Sequence, residues 1–349
     1  MNHSKFSLSQ SLVDDLPSAT PGLRVAAVKS GGENLTYSWG QAPIYYDFAS
    51  VTKVIFTVTA VMKCVDEKLA TVEDPVQRYL PWFPSGEVTI KMLLGHYSGF
   101  EWWAPVYEML RERNLVGRAH WPANWRFVQD LLANQKIHTV TKDTYSDLDF
   151  WTLGFFLEEV FAKPLDQIWA DLKIDLQMEQ THFCIDNNPV YQRELYAPTE
   201  ACPWRRKTLQ GEVHDDNTWA LGGVAPHAGL FGPIEDLVTW AKGLRLALKG
   251  GEWAISAQTV QQFAKRCGPG AWAHGFMMPS PIKSSVGDKM SRAAIGHWGF
   301  TGSGSWLDPD HDIIVATLAN RVHPTRENKK FNDLRPRIHD EVLNFFGVK

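Results

Sequence analysis

The 349-residue sequence has little cysteine, no tract of one charge and no long apolar run. Its four cysteines, Cys64, Cys184, Cys202 and Cys267, lack metal-ligand spacing, so we expect reduced thiols and no metal site. With a net charge of −4 and no basic tract, the chain is not expected to bind nucleic acid or a membrane surface. No stretch approaches the ~20 apolar residues that span a bilayer.

Residues 1–22 lack the apolar core of a secretory signal and carry Asp14 and Asp15 early. We therefore expect a cytoplasmic protein. A periplasmic protein is the alternative, if a signal has been removed.

The sequence that is present is typical of a globular protein, with 44% hydrophobic and 21% charged residues. Its length suits one large domain or two coupled ones. Among its 15 tryptophans, clusters occur at Trp102–Trp103 and Trp121–Trp125. They indicate either aromatic core packing or the aromatic wall of a substrate cleft.

Hydrophobic periodicity predicts strands near both ends of the chain and helices between them. The predicted elements are a helix over 7–16 ended by Pro17, strands at 22–28 and 35–39, a long helix from about Ser50, a helix over 150–161, strands within 295–307 and at 313–319, and a helix over 332–346.

This order predicts an α/β (α+β) fold in which both chain ends build one antiparallel sheet flanked by helices. The helix after Ser50 and the last helix would cover that sheet. Residues 1–65 and 216–349 would form the sheet lobe, and residues 66–215 an inserted helical lobe. The active site is expected in the cleft between the lobes.

Ser50 and Lys53 form a Ser-x-x-Lys pair at the start of the long helix. Residues three apart share one helix face, so the two side chains can meet. A serine hydroxyl is a weak nucleophile until a base takes its proton, and the apolar residues 54–56 would desolvate Lys53 for that role. The alternative is an N-capping serine beside a surface lysine. A second copy, Ser280–Lys283, lies in a proline-containing loop and is interpreted as a chance match.

Tyr145 and Asp147 precede an apolar helix, in a loop that could direct both side chains at one cleft. A tyrosine phenol has a pKa of ~10 and acts as a base only beside a cation such as Lys53. Asp147 could keep Lys53 charged or orient it. The alternative is that Ser146 or Asp147 simply caps the helix.

A third segment, residues 296–302, is a strand interrupted by glycines. Glycine within a strand often marks the close approach of a ligand or another backbone. The N–H of Phe300 could act opposite the N–H of Ser50 as the second donor of an oxyanion hole. His297 would add a polar or cationic group near the substrate. The alternative is a bulged edge strand with a partly buried histidine.

In order and spacing, the three segments resemble the boxes of the β-lactamase and penicillin-binding-protein-like serine hydrolases. They are most similar to the class C-like branch with its esterase and D-amino-acid peptidase relatives. That family carries Ser-x-x-Lys, then Tyr-x-Asn, then Lys-Thr-Gly or His-x-Gly on a strand. Further stretches resemble it at residues 73–81, 93–100 and 227–231, and the resemblance extends over residues 22–346.

The resemblance implies a serine hydrolase that forms an acyl-enzyme on Ser50, with Lys53 and Tyr145 as the proton-transfer pair. It further implies that the N–H groups of Ser50 and Phe300 form the oxyanion hole. The expected substrate-binding residues are Asp147, His297, Trp298 and Gly299. No cofactor and no metal are implied.

Two residues depart from the family pattern. Asp147 stands where many members carry asparagine, which would change a contact to a substrate amide. His297-Trp298-Gly299 replaces Lys-Thr-Gly, which removes a cation and a hydroxyl useful for binding a β-lactam carboxylate. Efficient β-lactamase activity is therefore not expected, whereas ester or peptide hydrolysis is.

Other functions remain open at this point: an acyltransferase on the same fold, a β-lactamase, or a non-catalytic binding protein. The partner would be a small molecule or a short peptide, with peptidoglycan-derived peptides among the candidates, and the oligomeric state is not predicted. Arg321 and Arg326 could bind a substrate carboxylate or be solvated surface charges. The run 214–216, His-Asp-Asp, is interpreted as a structural loop.

Overall fold

The computed structural model of the protein describes residues 6–349; residues 1–5 of the predicted sheet lobe lie outside that range. The strands within it, in chain order, are β1 (Gly22–Lys29), β2 (Asn34–Gly40), β3 (Tyr46–Asp47), β4 (His182–Phe183), β5 (Ala201–Cys202), β6 (Lys207–Thr208), β7 (Leu230–Gly232), β8 (Ile295–Trp298), β9 (Gly304–Asp308) and β10 (Ile313–Ala319).

The α-helices of the same range are α1 (Gln10–Ala19), α2 (Thr59–Asp66), α3 (Ile90–Leu94), α4 (Val106–Glu112), α5 (Ala123–Ala133), α6 (Asp147–Phe161), α7 (Leu165–Asp175), α8 (Asp216–Ala220), α9 (Ile234–Leu248), α10 (Ala257–Phe263) and α11 (Phe331–Phe345). A π-helical segment, Lys53–Val58, leads into α2. None of the helices in residues 6–349 is long and apolar enough to cross a membrane.

The main sheet has five antiparallel strands in the order β2-β1-β10-β9-β8, so both chain ends contribute to it as predicted. At its centre, Leu23 of β1 lies opposite Ala319 of β10. All residues of β10 are buried, because alternate side chains enter two different cores. This explains why β10 is apolar except for Thr317. The sheet and its helices confirm the predicted mixed α/β fold class.

The helix over the inner face of the sheet is not the one after Ser50, and that detail of the prediction was wrong. Helix α9 contacts β1, β9 and β10, because Leu237, Trp240 and Leu244 recur at helical spacing along its apolar side. Helix α2 packs instead against α6 and α10. On the outer face, α11 contacts β10 as predicted, and α1 packs on α11.

Helix α1 runs beyond Pro17, which was predicted to end it. Proline removes one N–H from the helix but does not prevent the chain from continuing where packing favours it. Leu16 and Ala19 are buried in the outer core, and the N–H of Thr20 still reaches the carbonyl of Leu16 at 3.0 Å. Burial of the last turn therefore outweighs the lost backbone hydrogen bond.

Helix α6 passes through the middle of the helical region and has an apolar surface on all sides. Ser146 caps it by accepting hydrogen bonds from the N–H groups of Leu148 and Asp149. Gly154 lets the helix approach the following segment closely, since a Cβ there would lie 2.6 Å from Cγ of Pro226. The start of α6 is thereby fixed in position, and with it Tyr145 and Asp147, the residues of the second box.

Candidate active site

Ser50 is presented by a sharp turn that the side chain of Asp47 stabilises. Ala49 has a positive φ of 45°, a strained conformation of the kind that surrounding structure must enforce. The buried Asp47 carboxylate accepts from the N–H of Ala49 and from the N–H of His214, both at 2.8 Å. Ser50 is thereby fixed directly before the first helical turn.

The helix that follows starts with the wide turns of the π-helical segment 53–58, whose residues are all buried. Such segments often occur at functional sites. The first of these residues is Lys53, whose side chain returns toward Ser50. The sequence predicted a helix here but not its π geometry.

The ammonium group of Lys53 is fully buried and has three hydrogen-bond acceptors. It donates to Asp147 Oδ1 at 2.7 Å, to Ser50 Oγ at 3.2 Å and to the carbonyl of His227 at 3.2 Å. Burial lowers the pKa of Lys53, but the Asp147 carboxylate and the Tyr145 phenol outweigh it, so the pKa is raised. Lys53 is therefore an ammonium ion at neutral pH.

Tyr145 reaches Ser50 from the other side of the cleft, since its hydroxyl donates to Ser50 Oγ at 2.9 Å. Its ring stacks on Trp272, with centroids 5.6 Å apart. Burial raises the pKa of Tyr145, and the negative charge of Asp147 adds to that effect against the charge of Lys53. The Lys53 cation thus lowers the pKa of this phenol, and the Asp147 carboxylate raises it.

His297 lies in β8 and is buried beside the same aromatic rings, with its ring centroid 5.9 Å from that of Tyr145. Its Nδ1 donates to the carbonyl of Trp298 at 2.8 Å. Burial, together with the charge of Lys53, lowers the pKa of His297 to about 3. The third box therefore contributes a neutral imidazole, and its buried Nε2 has no partner among residues 6–349.

Gly299 allows β8 to lie close to the turn that carries Ser50. A Cβ on Gly299 would lie 2.4 Å from the carbonyl oxygen of Phe48. Any residue with a side chain would therefore force the two backbone segments apart. Ser50 and Phe300 both line the cleft, and within the described residues neither backbone N–H donates a hydrogen bond. This arrangement suits the two donors of an oxyanion hole.

These residues share one cleft with a volume of about 390 Å³. Its walls are formed by Ser50, Tyr145, Trp272, Met277, His297, Trp298, Gly299, Phe300, Arg321, Lys329, Asn332 and Arg335. Asp147 is not part of this lining, because its carboxylate is turned toward Lys53. The structure thus brings the predicted residues together and places Asp147 one layer behind the surface.

The far wall of the cleft carries positive charge without carboxylates. The guanidinium of Arg321 lies 4.4 Å from the ring centroid of Phe300, and that of Arg335 lies 4.7 Å from the ring of Trp298. Burial lowers the pKa of Arg321, and burial and Arg321 together lower that of Arg335 to about 10. Neither forms an ion pair in the part of the chain that the structure describes, and Arg335 Nε is buried without a partner.

Of the residues in this wall, the sequence indicated only Arg321 as a candidate. Lys329, Asn332 and Arg335 belong to no motif, although Asn332 and Arg335 stand three apart on a predicted helix and so share a face. Arg326, the other candidate for a carboxylate site, instead pairs with Glu200 at 2.6 Å and is a structural residue.

The His-Asp-Asp run at 214–216 also has structural contacts. Asp215 caps α8 by accepting from the N–H of Thr218 at 2.7 Å, and it lies 3.1 Å from Nε2 of His227. Trp151 Nε1 donates to the other ring nitrogen of His227 at 2.9 Å. This chain of contacts supports the loop whose carbonyl binds Lys53.

The model of the family described as Beta-lactamase matches residues 10–337. A Salmonella gallinarum protein named "Putative D-alanyl-D-alanine carboxypeptidase" is 27% identical over 362 residues, which cover 89% of this chain and 81% of that protein.

Two solved structures have the same fold at low sequence identity. "EstCE1, a hydrolase with promiscuous acyltransferase activity" is 18% identical, with a TM-score of 0.68 and coverage of 94% of this chain and 96% of that one. A D-stereospecific amidohydrolase from Streptomyces sp. is also 18% identical, with a TM-score of 0.64 and coverage of 89% and 92%.

Proposed function

Because the chain belongs to the β-lactamase family and is a serine hydrolase, we propose that it cleaves amide or ester bonds next to a free carboxylate through an acyl-enzyme on Ser50. The observation that carries this proposal is the wall of unpaired cations facing Ser50 across one cleft. A buried guanidinium without a counter-ion is costly to keep, and a substrate carboxylate would supply the missing partner.

The acylation step requires that the Lys53–Tyr145 pair has first lost one proton to solvent. Ser50 Oγ then attacks the substrate carbonyl carbon while its proton passes to this deprotonated pair. The oxyanion that forms accepts hydrogen bonds from the N–H groups of Ser50 and Phe300. The carbon–nitrogen or carbon–oxygen bond to the leaving group then breaks, and the pair returns the proton to that group. A water molecule repeats the sequence on the ester of Ser50 and releases the acid.

The favoured substrates are short peptides that end in a D-amino acid, including peptidoglycan-derived fragments. Support comes from the names of the relatives, a D-alanyl-D-alanine carboxypeptidase and a D-stereospecific amidohydrolase. In this arrangement Arg321, Lys329 and Arg335 would bind the terminal carboxylate, and the acyl side would lie along β8. In the cytoplasm, such an enzyme would act on recycled fragments.

Acyl transfer or ester hydrolysis is the second candidate, and the aromatic cleft favours it. Tyr145 and Trp272 form a stacked wall beside the nucleophile, and Phe300 is half exposed at the opposite side. Such rings suit a bulky apolar acyl group or acceptor. The solved structure described as a hydrolase with promiscuous acyltransferase activity is consistent with this alternative.

The first experiment is intact-protein mass spectrometry after incubation with a penicillin, on the wild type and on Ser50→Ala. We expect a stable penicilloyl adduct on the wild type alone, because Arg321, Lys329 and Arg335 would bind the penicillin carboxylate, whereas the third box lacks the lysine typical of efficient β-lactamases. Intact penicillin without an adduct would favour the esterase or acyltransferase candidate. Consumed penicillin without an adduct would identify a β-lactamase. An adduct of equal amount on Ser50→Ala would refute the nucleophile.

A further inference from the structure

The charge on Lys53 has an unusual environment for a residue beside a nucleophilic serine. All three protons of its ammonium group have acceptors, of which the Asp147 carboxylate is the closest at 2.7 Å. The pair is shielded from water, since the Lys53 side chain is fully buried and that of Asp147 is 15% exposed. An ion pair in such surroundings is strong, so neutral Lys53 is disfavoured.

The other ionisable groups near Lys53 do not offset this effect. His297 and His96 are buried and neutral, because burial and the charge of Lys53 lower their pKa values. Asp149 is also buried, which raises its pKa well above the ordinary value. Tyr145 contacts Lys53 through its ring, whose centroid is 4.9 Å from Nζ. Asp147 is therefore the charged group that balances Lys53.

A cation beside a phenol lowers the pKa of the phenol, and a nearby anion raises it. Here both charges are present. The Lys53 cation would otherwise favour the phenolate of Tyr145, whereas the Asp147 carboxylate opposes it. The pH at which the serine proton can be taken thus depends on a carboxylate that does not touch the substrate cleft.

We propose that Asp147 is a positioning residue that fixes Lys53 as an ammonium ion and thereby raises the pH at which Ser50 becomes reactive. Tyr145, once it has lost its own proton and become a phenolate, is then the group that takes the serine proton, because Lys53 has no free electron pair. This inference rests on the proposed function, since it assumes that Ser50 is the nucleophile. It assigns to Asp147 a role distinct from the substrate contact that its motif position implies.

The test measures the rate of phosphonylation of Ser50 by a fluorophosphonate between mildly acidic and alkaline pH. In this reaction Ser50 Oγ attacks phosphorus, fluoride leaves and the serine proton passes to Tyr145, so no deacylation step intervenes. The variants are Asp147→Asn, which keeps the shape and a hydrogen-bond acceptor, and Asp147→Ser, which also lacks the charge. Two neutral variants guard against the failure of either one to fold.

We expect the acidic limb of the rate profile to move to lower pH by about one to two units in both folded variants, as the removal of an adjacent charge predicts. Asp143→Asn is the matched control, because it removes a carboxylate near the cleft that does not contact Lys53. The Asp143 carboxylate accepts a hydrogen bond from Trp272 Nε1 at 2.9 Å. The acidic limb of the rate profile of Asp143→Asn should stay at the wild-type pH.

The outcomes separate the two proposals. A wild-type profile with an acidic limb that Asp147→Asn leaves unmoved would overturn the role of Asp147 while Ser50 remains the nucleophile. An equal shift in Asp143→Asn would overturn it as well, because the effect would then be general. A wild type that is not phosphonylated at any pH would overturn the proposed function, and with it the role of Asp147.

Discussion

Replacement of Arg335 by methionine should remove the preference for substrates with a free carboxylate. The guanidinium of Arg335 lies over the Trp298 ring, and its Nε is buried without a partner among the described residues. Burial and the charge of Arg321 lower its pKa to about 10. A hydrogen bond to a charged partner contributes about 1.5–3 kcal/mol. That corresponds to a loss of about 10- to 150-fold in kcat/KM.

The assay compares two thioesters that share one acyl group and differ only in the leaving group. One releases mercaptoacetate and the other mercaptoacetamide, and the free thiol is quantified in both cases. Arg335→Met should lower kcat/KM for the carboxylate alone, and Arg335→Lys should retain part of the preference because it keeps the charge. Equal losses on both thioesters would refute the reasoning, since they would show damage to the cleft and not a lost ionic contact.

The same substitution should leave the free energy of unfolding nearly unchanged in urea titration, because a partly buried cation without an ion pair adds little stability. Ser50→Ala should lower thioester hydrolysis at least about 1,000-fold, as nucleophile removal does elsewhere. Gly299→Ala should slow phosphonylation about 100-fold, since a Cβ 2.4 Å from Phe48 O must displace β8, whereas circular dichroism should stay native. Burial raises the pKa of Glu200, but hydrogen bonds and the Arg326 charge lower it to about 2. Glu200 therefore stabilises the fold above its ordinary pKa of 4.5 and loses that effect as pH falls toward 2, so the stability deficit of Glu200→Gln should shrink between pH 7 and pH 3.

The part of the site that could be predicted from sequence is the part in which local geometry and motif coincide. Ser50 directly precedes the helix and Lys53 follows three residues later, so helical spacing was enough to predict that the two side chains meet. The approach of Tyr145 across the cleft was implied by resemblance, and the structure places its hydroxyl 2.9 Å from Ser50 Oγ. Asp147 was ambiguous, because a carboxylate at a helix start can cap the helix or bind a cation.

The cationic wall could not be predicted in the same way. Arg335 lies on an amphipathic helix whose buried side was evident, but the sequence does not show which polar residues at its edge face a cleft. That depends on how α11 crosses the sheet. The end of α1 and the helix that covers the inner face also depend on distant partners, since burial of Ala19 and the apolar side of α9 decide them.

The pairing of β1 with β10 has a consequence for how the chain is made. The hairpin of β1 and β2 leaves the ribosome early, yet the strand that completes it on the other side is about 300 residues away. Until β10 and α11 are synthesised, the edge of β1 that pairs with β10 and the outer face of β1 remain uncovered and open to association with other nascent chains. Folding of the sheet must therefore wait for the end of translation, and a ribosome that stops before Ile313 releases a chain that cannot close its central sheet.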